Sequence, residues 1–169
     1  MKKILRIIPV VLLSLVSFQV YAEHFVTVGK AGKVYDESNT KYVTVNQNNE
    51  EVNVEPGMVF KSSERSPGWA KVEYSPGLHA FIQESILTAD LKTPVPGNYD
   101  IKNLPSKKLE VSNSGQNWSA SDGAKSYKGI ILDNAVLFFD EGGQAVFSLV
   151  NLGNGGVVFS YDNNITKFF

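Results

Sequence analysis

The sequence predicts an all-β protein of two small units behind a cleavable leader. Three observations carry this reading. No long stretch repeats its apolar residues with the 3.6 period of a helix. Short β-rich runs are instead separated by Gly, Pro, Asn and Asp about every ten positions. Thr93-Pro94-Val95-Pro96-Gly97 then divides the chain, because two prolines and a glycine in five residues do not continue a central strand. The divisions are residues 1–22, 23–92 and 93–169.

The leader is read from Lys2, Lys3 and Arg6, an apolar run over residues 7–20, and Val20-Tyr21-Ala22 with small residues at the −3 and −1 positions of a cleavage site. A basic start, a short apolar run and such a site describe a secretory signal peptide. The run is short for a membrane span of about 20 residues, and no second run approaches that length. No membrane insertion is therefore expected.

In residues 23–92 the expected strands are 25–28, 33–35, 43–45, 52–54, 58–62, 69–74 and 79–82, with one helical turn in 84–89. Pro56-Gly57, Pro67-Gly68 and Pro76-Gly77 suit tight turns, since Pro presets φ and Gly accepts positive φ. In residues 93–169 the runs are 108–111, 116–120, 126–131, 135–139, 145–150, 157–161 and 165–169. Their connectors, such as Asp122-Gly123 and Asp133-Asn134, are short and tolerate left-handed backbone. Short connectors imply an antiparallel meander, and curling it into a small barrel would remove its exposed edges. Each half is marginal on its own, so the two are expected to pack together.

Composition narrows the chemistry. The chain has 169 residues, no cysteine and two histidines. Disulfides, Cys-ligated metals, iron–sulfur clusters and a cysteine nucleophile are excluded. No metal site or cofactor is expected. Without Lys2, Lys3 and Arg6, 13 basic residues face 17 acidic ones, a net −4. No basic cluster exists, which argues against nucleic acid. Cysteine-free export fits a bacterial periplasm or exterior. His24 and His79 stand in no nucleophilic pattern, and no Gly-x-Ser-x-Gly occurs.

Three segments of the first half form a pattern in order: Gly32-Lys33-Val34-Tyr35-Asp36; Val54-Glu55-Pro56-Gly57-Met58-Val59-Phe60; and Gly68-Trp69-Ala70-Lys71-Val72-Glu73-Tyr74, followed by Gly77, Ala80-Phe81-Ile82 and Ile86-Leu87. Over residues 25–90 this resembles the bacterial SH3-like domains of exported cell-envelope proteins. The family often has Gly where Ala80 stands. The resemblance implies a small barrel that recognises cell-wall peptides or glycans, or that accompanies a peptidoglycan hydrolase. The usual hydrolase partner carries a cysteine nucleophile, which this chain lacks. The second half resembles no family in this way.

Period-2 geometry puts Ala70, Val72 and Tyr74 on one face of their strand and Trp69, Lys71 and Glu73 on the other. The small apolar face suits the core. Trp69 would lie outside it, where an indole can stack on a ligand. Tyr35 and Tyr42 flank the neighbouring loop, so Tyr35, Tyr42 and Trp69 are the candidate ligand-binding groove. The competing expectation is that Trp69 packs against a loop or the second half. In the second half, Phe147 and Leu149 alternate with Val146, Ser148 and Val150, which reads as burial on both sides.

The sequence therefore predicts an exported, non-enzymatic binding or scaffold protein of the bacterial cell envelope. Its partner would be a cell-wall peptide or glycan, or an envelope protein. One alternative is a structural subunit that docks another envelope protein through its second half. Another is a carbohydrate-active hydrolase using carboxylates such as Glu73 or Asp140. The terminal Phe169 also occurs in outer-membrane barrels, but those need longer strands with an apolar outer face.

Overall fold

The structure is a computed structural model, and it describes residues 24–38, 48–75 and 78–161. The leader, the run 43–45, Tyr42 and the run 165–169 lie outside the described residues. The protein is all-β. The first sheet contains, among the described residues, β1 (His24–Val28), β2 (Gly32–Tyr35), β3 (Asn53–Val54), β4 (Val59–Ser66), β5 (Trp69–Ser75), β6 (Leu78–Gln83) and β7 (Leu87–Thr88). A 3-10 turn, Glu84–Ile86, leads into β7. The ladder order is β3-β2-β6-β5-β4-β1-β7, and every pair is antiparallel.

This order forces the sheet to curl. β1 and β2 stand four ladder steps apart, about 19 Å in a flat sheet. The link from Val28 to Gly32 can span only about 14 Å. The link is held by the amides of Gly29 and Lys30, which donate to the carbonyl of Ile86 at 2.8 and 3.1 Å. Val26, Val28, Val34, Val54, Ala70, Val72, Ala80 and Ile82 fill the resulting core.

The second sheet is a closed barrel of β8 (Gly97–Ile101), β9 (Leu104–Ser114), β10 (Asn117–Ser121), β11 (Ser126–Leu132), β12 (Ala135–Phe139), β13 (Ala145–Asn151) and β14 (Gly156–Ser160). Successive strands pair antiparallel, as a meander requires. Seven up-and-down strands leave the first and last running the same way, so the closing pair β14–β8 is parallel. Ile101, Leu109, Trp118, Tyr127, Phe138, Phe147 and Leu149 are among the residues filling the interior. Gly129 makes room there: a Cβ on it would lie 2.6 Å from that of Trp118. Outward Glu110, Ser112, Asn117 and Ser119 are exposed, the reverse of the apolar outer band of a membrane barrel.

Four elements differ from the sequence expectation. β9 runs from Leu104 to Ser114, well beyond the expected 108–111. β7 is a short strand at Leu87–Thr88, within the stretch expected as a helical turn. β8 falls within residues assigned to the linker and the approach to the 108–111 run, yet Ile101 is fully buried in the barrel. β4 continues past residue 62 to Ser66, across a register irregularity, carrying polar Glu64 and Arg65 into the hairpin with β5.

The two sheets share buried surface. Ala135, Leu137, Val150 and Tyr161, on or just beyond the outer wall of β12–β14, cluster with Val59 of the first sheet. Phe159 enters the first sheet's core. The Tyr161 hydroxyl accepts from the Val59 amide at 2.6 Å and donates to its carbonyl at 2.8 Å. Ser148 Oγ donates to the Gly57 carbonyl at 2.9 Å, and Lys102 pairs with Glu55 at 2.9 Å. β12 and β13 thus bury both faces.

Candidate functional site

Trp69 opens β5 directly after the Pro67-Gly68 turn, where Gly68 takes a φ of +81°. Its neighbours Ala70 and Val72 point into the core. Trp69 points the other way, outside all three apolar clusters. It meets Tyr35, at the end of β2, edge-to-face with ring centroids 5.0 Å apart and planes at 88°. The structure therefore brings together two of the three expected groove residues. Tyr42, the third, lies outside the described residues.

The indole is not an open platform: only 7% of Trp69 is exposed. Tyr35 is half-buried and supplies the more accessible ring of the pair. Phe81 was not among the expected groove residues. It is half-buried on β6, directly opposite Tyr35 on one side and Lys71 on the other. Its alternation with buried Ala80 and Ile82 already marks it as facing outward in the sequence. The outer face of β2–β6–β5 thus carries Tyr35, Phe81 and Trp69, with Lys71, Glu73 and His79 alongside. Lys61 pairs with Glu73 at 4.0 Å.

The carboxylates considered for hydrolysis are not brought together. Glu73 lies on the first sheet, whereas Asp140 follows β12 at one end of the barrel. Asp122 shares a cavity of about 310 Å³ with Asp140. Both oxygens of Asp122 are engaged. Oδ1 accepts from the amides of Ala124 and Lys125 at 3.0 and 2.8 Å, and Oδ2 from the Tyr127 hydroxyl at 3.1 Å. Burial pushes this carboxyl up, but those hydrogen bonds and the charge of Lys107 outweigh it and hold its pKa below the usual carboxylate value. A glycosidase acid needs the opposite shift.

Among the described residues, no group of three or more His, Asp or Glu is placed to hold a metal ion. No helix there is long and apolar enough to cross a membrane. Comparison with family models, curated proteins and solved structures returned no match. The functional reading therefore rests on the geometry and on the sequence pattern.

Proposed function

We propose that this is an exported, non-enzymatic binding or scaffold protein of the bacterial cell envelope. It holds a cell-wall peptide or glycan, or a partner protein, on the aromatic outer face of its first sheet. The observation that carries the reading is the Tyr35–Trp69 edge-to-face pair with Phe81 opposite Tyr35, all turned away from the core. Aromatic residues give a large contact area with few rotamers to freeze. The curled antiparallel sheet is compatible with the small barrel that the SH3-like resemblance implies. The leader-like residues 1–22 support export, and the lowered Asp122 supports a site that does not do acid catalysis.

The test is retention of the protein on purified peptidoglycan sacculi. Tyr35→Ala and Phe81→Ser are the variants, because Trp69 is buried and its removal would also disturb the fold. Retention lost in both variants at unchanged melting temperature supports the reading. Equal retention removes the aromatic face from it. If the wild type itself is not retained, the cell-wall ligand fails and a protein partner remains.

A second reading, docking of another envelope protein through the barrel, has one observation in its favour. Ile130 and Ile131 on β11 are 54% and 42% exposed. It requires that capture of an envelope partner be lost in Ile130→Ser and kept in Tyr35→Ala.

A further inference from the structure

One end of the barrel is open in a way the aromatic face does not explain. At the end where β8, β10, β12 and β14 finish, the turns around 122–125 and 140–144 border the 310 Å³ cavity, with a second of about 370 Å³ adjoining it. Ala124, Lys125, Tyr127 and Asp140 line both, so the two are lobes of one groove. Each lies within the range of about 300–1,000 Å³ typical of small-molecule sites, and barrel mouths are a preferred place for them.

The lining carries both signs of charge over an apolar floor. Leu104, Val146 and Phe147 supply the floor. Asp122 is committed to its turn, as described above. Asp140 Oδ1 accepts from the Gln144 amide at 2.9 Å, which places this acidic side chain in the lining. Glu141 adds a second in the adjoining lobe. Lys107 and Lys125 are exposed beside them. A neutral sugar ring would be expected to lie on an open aromatic face. Here Tyr127 and Phe147 are buried and meet edge-to-face at 5.0 Å, so neither offers one.

We propose that this groove binds a small zwitterion, an amino acid or a short peptide with both ends free. Its ammonium sits at Asp140 and its carboxylate at Lys125, with the side chain over the partly exposed Leu104 and Val146. Charge-assisted hydrogen bonds at both ends set the preference. The site is separate from the aromatic face and stands or falls independently of it.

The test is an NMR titration of the whole protein with dialanine, alongside N-acetyl-dialanine, dialanine amide and N-acetylglucosamine. Dialanine should shift the amides of Ala124, Lys125 and Gln144 saturably. Blocking either end should weaken binding about tenfold, as should Asp140→Asn or Lys125→Gln. Asp140→Asn keeps the acceptor for Gln144, and unmoved Leu109 and Val158 amides verify that the barrel is intact. Absence of a saturable shift overturns the proposal. So does a shift indifferent to blocked ends or to both substitutions. N-acetylglucosamine shifting the same amides would overturn it in favour of a glycan.

Discussion

Tyr161 and Gly57 show how much depends on single residues at the junction. The Tyr161 phenol fills both hydrogen-bonding positions of Val59, the residue paired with Thr27 at the start of β4. Tyr161→Phe leaves the buried Val59 amide without that partner, and should cost about 1–3 kcal/mol in chemical denaturation. Burial pushes the Tyr161 hydroxyl up to about 12, above the ordinary value near 10. A raised pKa favours the folded state fully below the unfolded value and loses that contribution as pH rises through the folded one. The stability gap between wild type and Tyr161→Phe should thus be constant through neutral pH and narrow between about pH 10 and 12. Gly57 has a φ of +100°, and a Cβ there would lie 2.7 Å from Val157 Cγ1. Gly57→Ala should destabilise by about 2–5 kcal/mol, combining backbone strain with overpacking. Adding Val157→Ala should recover only the part due to overpacking. Full recovery would show that the left-handed backbone costs nothing.

Among the elements, the parallel seam between β14 and β8 is the thinnest join in the barrel. Its ladder contact is Val158 with Ile101. The amide of Lys102 donates to Val158 at 2.9 Å. Asn103 then completes the join with its side chain, which accepts from the Ser160 amide and donates to the Ser160 carbonyl, both at 2.8 Å. Asn103→Ala should cost about 1–3 kcal/mol, two hydrogen bonds' worth, and speed hydrogen exchange at Ser160 well before Leu109. Asn103→Asp keeps the acceptor and loses the donor, so exchange at Ser160 should fall between the two. Equal exchange in all three proteins would show that the seam does not rely on this side chain. The seam also marks where sequence reading stops. Turns were legible because their chemistry is local: Asp133 and Asn134 take positive φ between β11 and β12, and Gly68 does so between β4 and β5. The meander and its capacity to close were legible from connector length. β8 was hidden, because only Tyr99 and Ile101 alternate in it and Pro94 and Pro96 precede it. Trp69's outward direction could be read from period-2 alternation. Its burial could not, because Tyr35 reaches it from a strand distant in sequence. Phe81 carried the same alternation signal, but its place beside Tyr35 required the ladder register.

At the scale of the molecule, the two halves are joined by a shared wall. Among the outward side chains of β12, β13 and β14 are Ala135, Leu137, Phe139, Ser148, Val150, Val157 and Phe159. They close the first half's surface while the inward ones fill the barrel. Phe159 is nearly fully buried and belongs to the first sheet's core, although its strand is the barrel's last. Halves this small are marginal alone, so the shared wall should make them unfold together. The two tryptophans allow a direct check, because Trp69 lies in the first sheet and Trp118 in the barrel interior. Proteins retaining one or the other, with Phe in place of the second, report each half by fluorescence. In each of them, denaturant melts read by tryptophan emission and by circular dichroism should coincide, as a two-state transition requires. Phe159→Ala removes a buried ring and should cost about 3–5 kcal/mol. In a single cooperative unit that loss moves the Trp118 transition as far as the Trp69 transition, although Phe159 packs in the first sheet's core. If the Trp118 midpoint stays fixed while the Trp69 midpoint falls, the halves fold independently and the wall is only a contact between them.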